Sequence, residues 1–173
     1  MSEPTYNSDF NLIFKHQGIT AVQLRKSTAS QRIEKLKKLR DWVLKNQEAI
    51  RKALENDFRK PATEVDLSEI FPVTSEINHA IKNLNSWIKP KKVSTPLAML
   101  GTKAKILYEP KGRSLIISPW NFPFNLTVGP LVSCIAAGCT AIIKPSEHSP
   151  ATSSLIQKMV EELYSTNEIA VFL

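Results

Sequence analysis

The sequence predicts an α/β fold in which a short parallel sheet follows a group of amphipathic helices. Three observations predict it. First, no residue from Ser114 to Ile143 is charged, yet the stretch contains Pro119, Pro123, Gly129, Pro130 and Gly138. A single membrane-spanning helix tolerates so many breakers poorly, whereas a buried strand–helix–strand segment explains both features. Second, the apolar runs "SLII", "TAII" and "IAVFL" alternate with two helical stretches. That order is the order of parallel strands joined by right-handed crossovers. Third, apolar residues recur at helical period from Thr28 to Ile88.

The elements follow in order. Residues 1–26 have no clear period and are expected to be partly irregular. Thr28 and Gln31 have capping-box spacing, and Ile33, Leu36, Leu39 and Val43 continue one apolar face. Asn46 interrupts it. Ile50, Ala53, Leu54 and Phe58 resume it to about Lys60, where Pro61 stops the helix. A third helix is expected over Thr63–Ile88, with Pro72 kinking or dividing it and Pro90 closing it. "KPKKVSTPLAMLG" reads as a loop. "TKAKILYEP", residues 102–110, alternates as a half-exposed strand does. Lys111–Gly112 is a turn, and "RSLIIS" a buried strand. A helix over Phe124–Ala137, bent at Gly129–Pro130, ends at Gly138, which suits a left-handed cap. "TAIIKPS" is the second buried strand. Ser149–Pro150 opens the next helix, with Ser as N-cap and Pro at the first helical position. "IAVFL" is the third strand. The whole is an incomplete Rossmann-like βαβαβ sheet, preceded by helices that cover one face and by a short strand or hairpin segment.

A length of 173 residues suggests one domain. The net charge of +7 comes largely from basic residues interleaved with acidic ones along the helices, as in "RIEKLKKLRDWVLKNQEAIRKALENDFRK". Such interleaving reads as a solvated face. No stripe of basic and aromatic residues supports nucleic-acid binding. Cys134 and Cys139 lie in apolar surroundings with no C-x-x-C spacing and no nearby histidine. Free buried thiols are expected, and no metal site. The polar, acidic start "MSEPTYNSDF" lacks the pattern of a secretory leader, so a cytoplasmic location is expected.

The stretch most suggestive of chemistry is "SPWNFPFN", residues 118–125. Pro119 and Pro123 fix their own φ and restrict the residues before them, which stiffens the chain around Asn121. This loop follows a parallel strand, and ligands of such sheets bind outside the strands' carboxyl ends. The next strand ends in "KPSE", which places Lys144 and Glu147 at the same edge. Lys144 offers a donor and Glu147 an acceptor, a pair suited to ribose hydroxyls, while the Asn121 amide can donate to an oxygen gaining charge. The plainer reading makes Asn121 a helix cap and Lys144–Glu147 a solvated pair. Neither G-x-G-x-x-G nor a P-loop occurs.

The run "EPKGRSLIISPWNFPFNLTVGPLVSCIAAGCTAIIKPSEHSPATSSLI" resembles the aldehyde dehydrogenase superfamily through E-P-x-G, P-W-N-[FY]-P, A-A-G-x and K-P-S-E in order. "PFNLTVGPLVSCIAAG" is similar to the class 3 branch, which handles fatty and aromatic aldehydes. The resemblance runs from about Ala21 to Leu173. It implies a partial NAD(P)-binding domain over 1–173, with a helical part at 21–90, an extension strand at 102–110 and a truncated nucleotide-binding core at 113–173. It implies NAD or NADP as cofactor, an aldehyde substrate, and a complete enzyme that is a homodimer. Asn121 matches the asparagine that forms half of the oxyanion hole. Ser118, Pro119 and Trp120 match the loop lining the cofactor cleft, and Lys144, Ser146 and Glu147 the segment holding the adenosine ribose. The G-[ST]-x-x-x-G loop, the glutamate base and the nucleophilic cysteine of the family lie beyond Leu173, and neither Cys134 nor Cys139 matches that nucleophile. The chain is therefore expected to be inactive alone. A non-catalytic nucleotide-binding or assembly module is the alternative. Two residues depart from the family's pattern: Cys139 replaces a common asparagine, and Arg59 a common glycine.

Overall fold

The computed structural model describes residues 6–173. Of the stretch 1–26 expected to be partly irregular, residues 1–5 lie outside the described residues, and the rest is corrected: α1 spans Tyr6–Leu24. Then come α2, Ala29–Lys45, and α3, Gln47–Phe58. The expected capping box is present: Thr28 Oγ1 accepts from the Gln31 N–H, and Gln31 Oε1 accepts from the Thr28 N–H. Leu36, Leu39, Val43, Ile50 and Leu54 are fully buried, each worth about 1.5–3 kcal/mol of apolar transfer.

The long third helix is continuous but irregular. After α4, Ala62–Val65, the chain widens into a π-helical turn, Asp66–Ile70, before α5, Phe71–Trp87. Pro72 follows this turn directly within a continuous right-handed helical backbone, so its missing N–H leaves the Ser68 carbonyl without an i+4 partner. The segment expected to be a loop after Pro90 contains a strand instead. β1, Lys91–Val93, pairs antiparallel with β2, Ala104–Ile106. The remaining elements are β3, Arg113–Ile117; α6, Asn125–Ala137; β4, Thr140–Lys144; α7, Pro150–Leu163; and β5, Ile169–Val171.

The expected sheet order is confirmed: β3, β4 and β5 are parallel and adjacent in that order. Strand β3, however, is not the buried strand expected, since only Ile116 is buried and Leu115 and Ile117 are exposed. On one face Ile116, Ala141, Ile143 and Ile169 join a core with Val128, Leu131 and Ile135 of α6 and Ile156 and Met159 of α7. Helices α2, α3 and α5 pack outside α6 and α7. The other face meets α1 alone among the N-terminal helices. There Gln17 Nε2 donates to the Ala141 carbonyl at 2.9 Å, and Arg113 stacks over the Phe14 ring at 3.8 Å.

Two left-handed residues fix turns that matter below. Gly138 ends α6 with φ 79°. Arg59 ends α3 with φ 53° and ψ 33°, a conformation that costs a residue with a Cβ about 1–2 kcal/mol. The departure at Arg59 therefore has a physical consequence. Arg59→Gly should stabilise the chain by roughly 1 kcal/mol, read as a higher urea midpoint at constant m-value. A lowered midpoint would mean that the arginine side chain outweighs its own backbone strain.

Candidate active site

All three parallel strands end at one edge, and two loops meet there. Ile117 and Lys144 are in register, so the loops after β3 and β4 leave side by side. One backbone bond continues the ladder past the strands: the Ser118 N–H donates to the Lys144 carbonyl at 3.2 Å. Ser118 is buried. The Thr127 hydroxyl lies between Ser118 Oγ at 2.6 Å and the Pro123 carbonyl at 2.5 Å, tying both ends of the loop to the first turn of α6.

Pro119, Trp120 and Asn121 stand outward and exposed. The Trp120 ring rests 6.1 Å from Phe58, the last residue of α3. The Asn121 side chain makes no protein hydrogen bond among the described residues, whereas its backbone carbonyl accepts from Lys60 Nζ at 3.1 Å. Asn121 is therefore not a helix cap here. Lys144 ends β4 with its ammonium 2.9 Å from the Pro145 carbonyl and 3.7 Å from Glu147 Oε2. Ser146 Oγ accepts from the His148 N–H at 3.2 Å, which shapes the turn. The Glu147 carboxyl is held below the usual carboxylate range by its own backbone N–H and by the Lys144 charge. The structure thus brings Lys144 and Glu147 together and ties Ser118 to Lys144. It places Asn121 on the same edge without contact to that pair.

The pattern of residues left out a second layer. Glu69, in the π-helical turn, is completely buried beneath the Asn121 loop. Its Oε1 takes Lys60 Nζ at 2.6 Å, and its Oε2 takes the N–H of Asn125, the first residue of α6, at 2.9 Å. Asn125 Nδ2 in turn donates to the Ser68 carbonyl at 3.0 Å; Pro72, four residues on, has no N–H to offer that carbonyl. At α7, Ser149 was expected to cap. Asp57 does so instead, taking the N–H groups of Ala151 and Thr152 at 2.9 and 2.8 Å and the Thr152 hydroxyl at 2.7 Å.

These two carboxylates bear on which part of a dinucleotide the edge suits. Helix N-termini attract phosphates through free N–H groups and the helix dipole. Both helices that leave this edge already face a carboxylate of the chain itself. The Lys144–Glu147 pair, in contrast, is partly exposed, at 41% and 73% of the side chains. The residues present fit a ribose and its hydroxyls, not a pyrophosphate.

Cys134 and Cys139 lie at the opposite end of the sheet, buried. Cys134 Sγ is 3.7 Å from the Cys139 carbonyl and 3.5 Å from that of Thr140. Hydrogen bonding to Cys139 and burial push the Cys134 thiol well above its ordinary pKa. Among the described residues no cluster of His, Cys, Asp and Glu could hold a metal, and no helix is long and apolar enough to cross a membrane.

Comparison with known proteins fixes the ancestry of this arrangement. The chain is 38% identical over 170 residues to AldX of Bacillus subtilis, covering 98% of this chain and 38% of that protein. It is 40% identical over 149 residues to aldehyde dehydrogenase family 3 member B1 of Bos taurus, covering 86% of this chain and 32% of that one. The substrate-bound structure of Staphylococcus aureus AldH superposes with a TM-score of 0.91 at 37% identity, over 94% of this chain and 36% of that one. The chain thus spans about a third of the length of these relatives. The sequence signature of the aldehyde dehydrogenase family matches residues 9–168, and the chain belongs to that family, with class 3 enzymes among its relatives.

Proposed function

We propose that this chain supplies the ribose-binding edge and one oxyanion donor of an NAD(P)-dependent aldehyde dehydrogenase. The observation that carries the reading is the bond from the Ser118 N–H to the Lys144 carbonyl. It locks the Asn121 loop beside the Lys144–Glu147 pair at the carboxyl edge of a parallel sheet, where such folds bind ligands. Lys144 and Glu147 would hold the adenosine ribose, with Ser118, Pro119, Trp120 and Ser146 lining the cleft. The dinucleotide, when bound, accepts hydride from the substrate. Asn121 is the chain's own contribution to the chemistry: its free, outward carboxamide donates to the aldehyde oxygen as that oxygen gains negative charge.

The test is titration of the 173-residue chain with ADP-ribose, followed by calorimetry. Lys144→Met and Glu147→Gln should each weaken binding roughly tenfold, since each removes one charge-assisted hydrogen bond. Glu147→Gln should also improve the relative affinity for 2′,5′-ADP, because it removes a carboxylate facing the 2′-phosphate. Equal affinities for parent and variants would overturn the assignment.

A second reading rests on the cysteines. Both are buried and remote from Asn121, so this chain offers no placed thiol nucleophile. By itself it then acts as a nucleotide-binding module and does not reduce NAD in the presence of an aldehyde. Measurable NADH formation by the purified chain would refute this.

A further inference from the structure

We propose that the buried Lys60–Glu69 pair is a positioning device for Asn121, an inference that rests on the oxyanion role given to that residue above. Lys60 and Glu69 do not reach the substrate edge themselves. They grip the loop at two points of its backbone, one on each side of Pro123. Lys60 Nζ donates to the Asn121 carbonyl at 3.1 Å. Glu69 Oε2 accepts from the Asn125 N–H at 2.9 Å. The two grips are joined through the 2.6 Å contact between Lys60 and Glu69 Oε1. The Lys60 ammonium also lies 4.4 Å from the centroid of the Phe122 ring, so the loop is held at Asn121, Phe122 and Asn125. With its carbonyl fixed and prolines on either side, Asn121 has little freedom left except at its side chain.

Stability is a poor explanation for this pair. The Lys60 side chain is 9% exposed and the Glu69 side chain 0%. Taking two charges out of water costs several kcal/mol per ion, and apolar residues of similar volume often serve as well or better. What an apolar pair lacks is direction. It has no donor for a carbonyl and no acceptor for an N–H, so it would pack under the loop without setting its orientation. The turn at Arg59 is part of the device, because its left-handed backbone separates Phe58, under Trp120, from Lys60, under Asn121 and Phe122.

The experiment is ¹⁵N relaxation and amide exchange on the 173-residue chain, with Lys60→Met and the double variant K60M/E69M. The single variant leaves a buried carboxylate without its cation and loses stability for that reason alone. The double variant removes both charges, so its melting temperature should stay within a few degrees of the parent. In both, backbone order parameters at residues 120–122 should fall from about 0.85 towards 0.6 or below. The Asn125 amide should exchange at least tenfold faster, while amides of β4 keep their protection. A stable double variant with an unchanged loop would overturn the proposal, since the pair would then be packing only. A double variant that does not fold would overturn it too, by making the pair a requirement of the fold. Failure of Asn121→Ala to lower turnover would instead sink the oxyanion role and leave the ordering result standing, so the two ideas fail separately.

Discussion

Asn121→Ala, in a complete dehydrogenase containing this segment, lowers kcat roughly 10²–10³-fold, the usual effect of deleting one oxyanion-hole donor. The size of the effect follows from where the side chain stands. The carboxamide has no protein partner among the described residues, so its removal leaves no buried group unsatisfied and no cavity in the core. The backbone grip on its carbonyl is untouched by the substitution. The loss should therefore appear in kcat and kcat/KM together, because the interaction forms only as charge develops on the substrate. Affinity of the 173-residue chain for ADP-ribose should be unchanged, and so should its melting temperature. Steady-state kinetics beside calorimetry separates these outcomes. A variant with parental kcat removes Asn121 from the chemistry, and one with weakened nucleotide binding moves it to the cofactor.

Much of the core was legible because it obeys simple periods. The parallel strands carry uninterrupted apolar runs, which mark β4 correctly as buried on both faces but overstate the burial of β3, where Leu115 and Ile117 are exposed, and Gly138 sits where a helix must turn left-handed. The misses share a different cause. Helix α1 lacks a continuous apolar stripe: it docks on β4 and β3 through the Gln17 amide, buried Ala21 and the Phe14–Arg113 stack. Strand β1 is three residues long and entirely exposed, so no alternation marks it. At the candidate site, the outward residues were found because two prolines bracket Asn121 and a short polar turn ends β4. The buried supports were not. Asp57 and Lys60 read as members of a solvated, charge-rich helical stretch, and Glu69 was not singled out. One signal was present: Glu69 stands four residues after Val65 and four before Val73, in phase with the buried stripe that continues to Ile77. A carboxylate on an apolar stripe is expensive unless it is paired, and that cost is what points to a partner.

The second large effect lies at the far end of α6. Gly138→Ala should destabilise the chain by about 3–5 kcal/mol, from a left-handed backbone that disfavours a Cβ and from displacement of a hydrogen-bonded buried cation. Gly138 has φ 79°, and a methyl group there would lie 2.5 Å from Arg32 Cζ and 2.7 Å from Nη2. Arg32 is buried, and its burial lowers the guanidinium pKa. Its Nη1 donates to the Ala136 and Ala137 carbonyls at 3.1 and 2.9 Å, and its Nε to Ser27 Oγ at 2.8 Å. The guanidinium thus satisfies the last carbonyls of α6 and complements the negative end of that helix. An arginine tip on the surface would swing aside at little cost. This one is tied to the Ala136 and Ala137 carbonyls and to Ser27, so moving it breaks those bonds and leaves the last carbonyls of α6 unpaired. A double-mutant cycle isolates the cause. In an Arg32→Ala background the clash is gone, and Gly138→Ala should cost only the backbone share of about 1–2 kcal/mol. Urea denaturation of the four proteins reads the coupling directly. If Gly138→Ala costs the same with and without Arg32, the close approach is harmless and the glycine is required for its backbone alone.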